Sequence, residues 1–343
     1  MVGPPEAVGR GTAAAAARSH SLVSIRLSVI IPAYGRPETL RLAVASAVDQ
    51  DLDPSVYEVV VVDSSPDERN RAVVEEIAAG ARCRVRCLRK NPEGPGPSRN
   101  LGARESEGEF LAFFDSDCVA SRGWLRGGLE AFAADARIGI AQGRTLPPPG
   151  VKTGIFSRYI VVDRENFVYE TCNIFYRRAA FEETPGFWVD RTPTSGFVTG
   201  GEDVTLAWQV KRRGWLSVFA PDALAYHEVT PMKPWQWLYE KRLPIWPKVV
   251  KAVPEIRSCF PGRIFYDRAQ VGVTLALASL ALAFAHPAAL LGVLPYAWIR
   301  GSEPTRSLRG PLRLLRVGFY FPRDVISFVL LLRGSIRHRC LLL

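Results

Sequence analysis

The first half of the chain alternates between apolar runs typical of buried strands and segments with helical periodicity. The runs "LSVIIPAY", from Leu27, and "YEVVVVD", ending at Asp63, are rich in β-branched residues and predict buried strands. "PETLRLAVASAVDQ" and "PDERNRAVVEEIAAG" have apolar residues at helical spacing; the first begins with Pro37 and the second ends at Gly80. Strands that alternate with helices predict a parallel sheet with right-handed crossovers.

The same order continues to a fourth strand, after which the pattern loosens. "RCRVRCLR" alternates as a third strand would, "SRNLGARESEG" predicts a short helix that begins at Ser98, and "EFLAFF" predicts a fourth strand. Further along, "NFVYETCNIFYRRAAFEE" predicts a strand and a helix start, "GEDVTLAWQVKRRGW" a helix, and "LSVFAPDALAYHEV" a pair of strands. We therefore expect a disordered arm over residues 1–24 and an α/β domain over residues 25–230.

The last third of the chain contains a long uncharged run. No charged residue occurs from Ala269 to Ile299, and most of that run is apolar. As a single helix it would be roughly 46 Å long at ~1.5 Å per residue, which exceeds a hydrocarbon core of about 30 Å. His286 and Pro287 divide it into halves that are each shorter than the ~17 residues usually needed for a span. The run therefore predicts a re-entrant helical hairpin.

Basic residues flank this run on both sides, and positive flanks favour the cytosolic side of a membrane. The flanking arginines are Arg263, Arg268, Arg300, Arg306, Arg309 and Arg313. "PWQWLYEKRLPIWPKVVK" mixes tryptophan with lysine, as interfacial segments do, and "RDVISFVLLLRGSIRHRCLLL" predicts a basic amphipathic helix. We expect residues 231–343 to form an apolar helical region that docks on the cytosolic face of a membrane. A hairpin buried against the preceding domain is the alternative.

Composition narrows the class of partner. The chain has 343 residues, 48% hydrophobic residues and a formal net charge of +10, so it has a sizeable core and favours an anionic partner. Because the arginines concentrate near the apolar run, anionic lipid explains this charge better than nucleic acid does. The six cysteines form no C-x-x-C pair, which indicates neither a zinc framework nor a disulfide scaffold and favours a reduced cytosol.

Acidic side chains follow two of the predicted strands. Asp63 ends the second strand, and Asp115 and Asp117 follow the fourth. Ligands of such sheets bind beyond the carboxyl ends of the strands. Two carboxylates next to a buried strand need a cation, hydrogen-bond donors or water, and this pair suits a hard divalent cation that also binds phosphates. His227 is a candidate additional ligand, and a solvated turn and a structural histidine are the alternatives.

Three further segments carry candidate site residues. "NPEGPGPSRN" can cradle an anion, since glycine allows close backbone approach and Arg99 lies in the first turn of the predicted helix. Glu202 and Asp203 open the later helix, where they either cap it or supply a general base. Asp63 either binds a ribose or nucleobase or caps the next helix. The first turn, "IPAYGRPETL", has no G-x-G-x-x-G pattern, which argues against a dinucleotide dehydrogenase.

Together these segments resemble the inverting glycosyltransferase family 2, which has the GT-A fold. The resemblance covers about residues 26–230 and depends on "SVIIPAYGRPETL", "VVVVDSSPDE", "GPGPSRNLGARESEGEFLAFFDSDC" and "GGEDVTLAWQVKRRGWLSVFAPDALAYHE". It implies a Rossmann-like mixed α/β sheet flanked by helices, and we expect the apolar helical region to follow it. By this likeness Asp63 would contact the nucleobase and Arg99 would lie near the diphosphate or base. The expected substrate-binding residues are Pro32, Tyr34, Arg36, Glu38, Asp63, Gly94, Arg99 and Asp115.

The resemblance also implies the metal ligands and the catalytic residues. Asp115 and Asp117 would form the Asp-x-Asp motif that touches the ribose and the metal, and His227 would match the late metal ligand. Asp203 would be the catalytic base, with Glu202 beside it. The metal would be Mn or Mg, and the metal together with Arg99 would stabilise charge on the leaving phosphate.

These assignments predict a non-processive inverting transferase. It would move a sugar from a nucleoside diphosphate sugar to the hydroxyl of an acceptor glycan or lipid-linked sugar of the cell envelope. The Q-x-x-R-W motif of processive synthases is absent from "PWQWLYEKR". One alternative is a nucleotidyltransferase, although its N-terminal loop usually bears a Gly-rich phosphate clamp with Arg or Lys. The other is a non-catalytic membrane scaffold, in which acids would have no reason to cluster at strand ends.

Overall fold

The computed structural model describes residues 25–188, 200–302 and 315–343. In chain order its strands are β1 (Leu27–Ala33), β2 (Tyr57–Asp63), β3 (Arg84–Arg89), β4 (Phe110–Phe114), β5 (Cys118–Ala120), β6 (Ile138–Leu146), β7 (Ser157–Arg158), β8 (Asn173–Arg177), β9 (Leu216–His227) and β10 (Thr230–Pro231). Its α-helices are α1 (Pro37–Val48), α2 (Arg69–Gly80), α3 (Pro95–Arg104), α4 (Trp124–Glu130), α5 (Arg178–Glu182), α6 (Glu202–Arg212), α7 (Pro234–Leu238), α8 (Trp246–Ala252), α9 (Arg268–Leu282), α10 (Leu294–Ser302) and α11 (Leu315–His338). The predicted arm, residues 1–24, lies outside the described residues.

The core is an eight-stranded mixed sheet in the order β3-β2-β1-β4-β8-β6-β9-β5. β1 pairs in parallel with β2 and β4, β2 pairs in parallel with β3, and β8 runs antiparallel to both of its neighbours. β1, β2 and β4 are buried at nearly every position, because continuous apolar strands have both faces covered. The predicted α/β class with a mixed sheet is confirmed.

Two of the longer strands differ from the sequence expectation. β6 was not predicted, although it lies inside the sheet between β8 and β9. "LSVFAPDALAYH" was expected to form two strands but forms the single strand β9. Ala220 of β9 pairs with Gly143 and Leu224 pairs with Arg144, so the residues around Pro221 bulge out while the strand continues. A bulge tolerates the missing N–H of proline, which is why the strand is not interrupted.

Helix α3 begins earlier than predicted. Its first residue is Pro95 rather than Ser98, and Gly94 precedes it with φ 94°. Glycine adopts this left-handed backbone without a Cβ penalty, and proline suits the first helical position because its missing N–H needs no partner there. Arg99 therefore lies in the second turn of the helix. The sequence had placed it in the first turn.

The C-terminal helices pack directly on the sheet domain. A shared apolar cluster joins α6, α8, α11 and the segments between them; its buried members are Val204, Leu243, Val249, Val250, Val253, Ile256, Phe260, Leu330, Leu331 and Leu342. In the segment expected at a membrane interface, Trp237 is 6% exposed and packs on Phe319, and Trp246 packs on Phe260. That part of the interface prediction is therefore corrected, since these rings find aromatic partners inside the protein.

The uncharged run folds as a helical hairpin. α9 ends at Leu282, a 3-10 segment begins at Pro287, and α10 packs back against α9. The division of the run near Pro287 is thus observed. At the base of the hairpin, Asp324 of α11 accepts hydrogen bonds from Tyr296 and Arg300 of α10. Within the residues described, no helix is long and apolar enough to cross a membrane.

Candidate active site

A cavity of about 830 Å³ is lined by the carboxyl ends of β1 and β4 and by the start of α6. Most of the predicted site residues line it: Pro32, Tyr34, Arg36, Gly94, Arg99, Asp115, Asp117, Glu202 and Asp203. Another part of its wall comes from the C-terminal region, through Arg242, Ile245, Trp246 and Val249. The region expected to be a separate membrane-docking unit therefore also closes the site. Cavities of about 300–1,000 Å³ are typical of small-molecule sites.

Arg99 and Asp115 form a charged pair on the cavity wall. The side chain of Arg99 is 5% exposed; its Nη2 donates to Asp115 Oδ1 at 2.6 Å, and its Nη1 lies 3.9 Å from Glu202 Oε1. The guanidinium also lies 5.4 Å from the centroid of the Phe187 ring, within cation–π range. Arg99 Nε has no hydrogen-bond partner among the described residues. Arg99 thus connects the Asp-x-Asp segment to the first turn of α6 and presents positive charge at the cavity.

Asp117 and His227 are placed as a metal site requires. Donor atoms of Asp117, Cys118 and His227 lie within 4.8 Å of one another, and His227 Nε2 is 3.7 Å from Asp117 Oδ1. His227 Nδ1 lies 2.8 Å from the carbonyl oxygen of Glu228, and donation to that oxygen leaves a lone pair on Nε2 facing Asp117. Burial raises the pKa of the Cys118 thiol well above its usual value, so it remains a neutral neighbour. The oxygen and nitrogen donors fit a divalent cation such as Mn or Mg.

Asp115 stands outside this group of donor atoms, although it was expected to share the metal. Its Oδ1 is engaged by Arg99, and its remaining lone pairs face the cavity. Burial raises the pKa of Asp117, and the neighbouring carboxylate Asp115 raises it further. A bound cation would relieve both effects. This is the electrostatic reason for expecting one at Asp117.

Arg36 supplies the nearest compensating charge for Asp117. Its Nη1 donates to Asp117 Oδ2 at 3.3 Å, and its Nη2 pairs with Glu228. Arg36 has φ 56°, an uncommon left-handed conformation for a residue other than glycine, and it immediately precedes α1. The guanidinium is about half-exposed, so a diphosphate can reach it.

Glu202 and Asp203 open α6 on another side of the cavity. Gly201 precedes them with φ 83°, and a side chain at this position would also collide with Val249. Burial raises the pKa of Asp203 to about 7, and the Glu202 carboxylate adds to this rise, while Arg99 opposes it. A carboxylate with a pKa near neutrality is suited to accept a proton from a hydroxyl.

Two predicted substrate contacts lie outside the cavity lining. Asp63 is completely buried; it accepts hydrogen bonds from Ser65, Asn70 and Arg89. Ser64, the next residue, lines the cavity in its place. Glu38 is exposed in the first turn of α1 and is not among the lining residues. In this conformation neither carboxylate is directed at a ligand in the cavity.

Sequence reasoning missed Glu170, which lines the same cavity. It lies in the loop before β8, and Gln142 of β6 and Asn166 donate hydrogen bonds to its carboxylate. Burial raises its pKa. The residue stands in "NFVYETCN", where nothing in the local pattern marks it, because its position at the site depends on β6, the strand that was not predicted.

Comparison with known proteins shows what the sheet domain resembles. Residues 28–185 match the model of "Glycosyl transferase family 2", a range that contains Arg99, Asp115 and Asp117 but ends before Asp203 and His227. Glycosyltransferase AglE of Haloferax volcanii is 24% identical over 214 residues, which are 60% of this chain and 67% of AglE. Poly(ribitol-phosphate) beta-N-acetylglucosaminyltransferase TarS of Staphylococcus aureus is 34% identical over 102 residues, which are 30% of this chain and 18% of TarS.

A solved structure supports the fold over most of the chain. Mannosyltransferase PcManGT of Pyrobaculum calidifontis, in complex with GDP-Man and Mn2+, has a TM-score of 0.52 and 17% identity, covering 92% of this chain and 87% of that one. The matched part of this chain corresponds to two thirds of AglE but to less than a fifth of TarS. Over residues 28–185 the chain is therefore similar to glycosyltransferase family 2, and its fold is GT-A-like. Both findings support a sugar-transferring enzyme.

Proposed function

We propose that this enzyme transfers one sugar at a time, with inversion, from a nucleoside diphosphate sugar to the hydroxyl of a cell-envelope glycan or lipid-linked sugar. The observation that carries this proposal is a single cavity with Arg36, Asp115 and Asp117 on one part of its wall and Glu202 and Asp203 on another. The first group suits a diphosphate and its cation, and the second suits an attacking hydroxyl. The activities named for AglE, a glycosyltransferase, and TarS, a poly(ribitol-phosphate) beta-N-acetylglucosaminyltransferase, support this class of reaction.

In the proposed reaction Asp203 accepts the proton of the acceptor hydroxyl. The hydroxyl oxygen attacks the anomeric carbon from the face opposite to the diphosphate, a new glycosidic bond forms, and the bond from carbon to phosphate oxygen breaks. Arg36 and Arg99 stabilise the negative charge that the nucleoside diphosphate gains as it leaves. General-base catalysis of this kind is worth typically ~10²–10⁴-fold in rate.

Asp117 and His227 would hold the divalent cation that we propose as cofactor. When bound, it would supply positive charge to the phosphate oxygens at the moment of bond cleavage. Asp115 would orient the donor through the lone pairs that its contact with Arg99 leaves available. The Mn2+ in the PcManGT complex belongs to that protein and supports the choice of Mn for the first experiments.

Hydrolysis of a panel of nucleotide sugars tests the donor class and the cation together. UDP-glucose, UDP-N-acetylglucosamine and GDP-mannose would each be incubated with the full chain and Mn2+ or Mg2+, with water as the acceptor. We expect slow release of nucleoside diphosphate from one of them and loss of this activity in excess EDTA. Undiminished turnover in EDTA would contradict the cation site. A lack of hydrolysis across the panel would count against the donor class.

We also propose that the hairpin places the enzyme on an anionic membrane surface on the cytosolic side. Large apolar side chains are exposed around its tip: Leu280, Leu282, Phe284, Leu290, Leu291, Leu294 and Trp298. Phe284 is 97% exposed and Trp298 77%. The uncharged hairpin lies between arginine-rich segments, so apolar insertion and attraction to anionic lipid would act together. Insertion into one leaflet agrees with the lengths of the hairpin helices, since α9 has 15 residues and α10 has 9.

Matched leucine variants test the membrane proposal. Leu291 at the tip and Leu42 on α1 are 67% and 59% exposed, so replacing either by serine removes no buried packing. In sedimentation with vesicles that contain anionic lipid, Leu291→Ser should weaken binding by about tenfold, because a buried leucine contributes about 1.5–3 kcal/mol. Leu42→Ser should bind as the wild type does. Equal binding of both variants, or dimers dissociated by Leu291→Ser, would contradict a lipid partner. Truncation is unsuitable, because the C-terminal helices line the cavity.

A further inference from the structure

Glu170 is a half-buried carboxylate on the cavity wall. Gln142 Nε2 donates to its Oε2 at 2.8 Å, and Asn166 Nδ2 donates to Oε2 at 3.0 Å and to Oε1 at 3.3 Å. Within the described part of the chain, its carboxylate forms no ion pair. Both donors are neutral amides, so they orient the carboxylate without neutralising it.

The amides are themselves fixed. Asn166 N donates to Gln142 Oε1 at 2.9 Å, which sets the orientation of the Gln142 amide and points its Nε2 toward Glu170. Asn166 Oδ1 accepts from Val168 N at 2.8 Å, so its Nδ2 is also directed at Glu170. Gln142 is completely buried in β6. Gln142 therefore links the Glu170 carboxylate and its loop to the sheet, which fixes the direction of the carboxylate.

The backbone next to Glu170 is held in an uncommon conformation. Tyr169 has φ 54°, in the left-handed region, which is strained for a residue other than glycine. Its hydroxyl donates to Glu165 and accepts from Lys211, and its side chain is 2% exposed. Strain of this kind persists only when the surroundings determine it, and here it turns the next residue into the cavity.

Glu170 lies on the general-base side of the cavity. The charge of Glu170 raises the pKa of Asp203, as the charge of Glu202 does. Glu170 is not among the residues whose charges shift the pKa of Asp117. The hydroxyl that Asp203 deprotonates belongs to the acceptor. In the proposed reaction, a second group of the same acceptor would therefore lie close to Glu170.

We infer that Glu170 is a specificity-determining residue that accepts a hydrogen bond from a second hydroxyl of the acceptor sugar. This inference depends on the proposed function and adds to it the chemistry of the acceptor: a sugar with a free hydroxyl beside the one that reacts. An ionised carboxylate binds a hydroxyl strongly in a site without competing water. An acceptor that lacks this hydroxyl would leave the half-buried carboxylate without its partner, and this loss of binding free energy exceeds that of a missing apolar contact.

The experiment compares transfer with hydrolysis in the full-length enzyme. Octyl β-glycosides of glucose, galactose, mannose and N-acetylglucosamine serve as acceptor probes with the nucleotide sugar that the wild type hydrolyses fastest. Glu170→Gln should lower kcat/KM for the best glycoside by roughly 10- to 100-fold, the loss expected for a hydrogen bond to a charged group. Hydrolysis, in which water is the acceptor, should change by less than about twofold, because water makes no second contact.

Controls separate this role from a structural one. Glu170→Asp keeps the charge but withdraws it by one methylene, so it should show the same selective loss if Glu170→Gln does not fold. Asp163→Asn removes one negative charge from the same segment at a side chain that is 59% exposed, and it should leave both activities unchanged. With the wild type, deoxy analogues of the best glycoside should be poorer acceptors than the parent glycoside. With Glu170→Gln, this difference should disappear for the analogue that lacks one particular ring hydroxyl and remain for the others.

Each contrary result has a distinct meaning. Equal loss of transfer and hydrolysis in Glu170→Gln would assign Glu170 to the donor site or to folding and overturn the inference. Unchanged transfer would also overturn it, while intact hydrolysis would leave the proposed function standing. If none of the four glycosides accepts a sugar or inhibits hydrolysis, a sugar acceptor at Glu170 is contradicted. Absence of hydrolysis in the wild type would instead count against the proposed function.

Discussion

Two arginine–aspartate pairs, one at the cavity and one at the base of the hairpin, show how the same chemistry serves different ends. Arg99 Nη2 lies 2.6 Å from Asp115 Oδ1, and Arg300 Nε lies 2.7 Å from Asp324 Oδ2. The aspartate side chains differ in exposure, 26% for Asp115 and 4% for Asp324. The first pair faces a cavity, and the second is enclosed by α9, α10 and α11.

The enclosed pair is satisfied from all sides. Asp324 accepts from Arg300 at both carboxylate oxygens and from the Tyr296 hydroxyl at 2.8 Å, and its backbone carbonyl accepts from Gln270. At the cavity, by contrast, Arg99 Nε has no partner within the described residues, and Asp115 has lone pairs to spare. A closed network specifies packing, whereas an incomplete one is available to a ligand. The two pairs should therefore respond differently to substitution.

On the cavity side, the largest effect is expected at Asp203. Asp203→Asn keeps the size of the side chain but removes the proton acceptor, so transfer should fall by ~10²–10⁴-fold. Binding of the nucleotide sugar, measured by calorimetry, should remain within a few-fold of the wild type, because Asp203 is assigned to the acceptor side. If transfer stays nearly normal, the base lies elsewhere, and Glu202 is the next candidate.

The next effect concerns the cation at Asp117. Asp117→Asn should lower nucleotide-sugar turnover by about 10²-fold or more, since a bound cation stabilises the leaving phosphate by several kcal/mol. The variant should also bind Mn2+ more weakly in a titration without substrate. The far-UV circular dichroism should match that of the wild type. Normal Mn2+ affinity in the variant would place the cation at other ligands.

At the enclosed pair, the change should appear in stability and not in binding. Asp324→Asn leaves Arg300 with a neutral partner, and breaking a buried pair in this way typically costs about 3–5 kcal/mol. The free energy of unfolding, measured with urea, should fall by that order, while the Kd for the nucleotide sugar stays unchanged. Arg99→Met should cost less, about 1–3 kcal/mol, because water in the cavity reaches Asp115. A larger loss for Arg99→Met would reverse our interpretation of the two pairs.

The smallest effect is a pH dependence that follows from Asp203. The base must be ionised, and its pKa is raised to about 7, so kcat/KM should fall roughly tenfold per pH unit as the pH drops below that value. Because the folded-state pKa lies above its usual value, the stability that protonated Asp203 contributes is present at low pH and is lost as the pH rises through about 7. A rate profile that is flat from about pH 5 to pH 8 would argue against Asp203 as the base.

Much of the fold could be predicted because its signals are local. β1, β2 and β4 are continuous apolar runs, and burial on both faces needs no knowledge of their neighbours. The positions of Asp115 and Asp117 followed directly, since residues after a strand lie at the edge of the sheet. β6 was not predicted, because "IGIAQGRTL" contains polar residues. One of them, Gln142, is buried only because Asn166 and Glu170 form hydrogen bonds with it.

Some residues of the candidate site could likewise be placed from the sequence, and others could not. The sequence placed Asp203 at the start of a helix and His227 at the end of a strand, and the structure has both there. It did not indicate that Arg99 would be buried against Asp115, nor that Asp63 would be held by Arg89 inside the protein. Such pairings join residues far apart in the chain, and many pairings of the same charges are compatible with one sequence pattern.

The amino-acid sequence by itself determined the order of strands and helices from β1 to β4, the acids at the sheet edge, and the uncharged run broken near Pro287. Each of these depends on residues within a few positions of one another, through backbone preference and the periodicity of apolar side chains. Only the tertiary structure decided that Trp246 and Val249 close the cavity, that Glu170 faces it, and which arginine–aspartate pair is enclosed. These outcomes depend on which distant surfaces pack together, because packing sets the exposure of each charge and hence whether it stabilises the fold or remains available to a ligand.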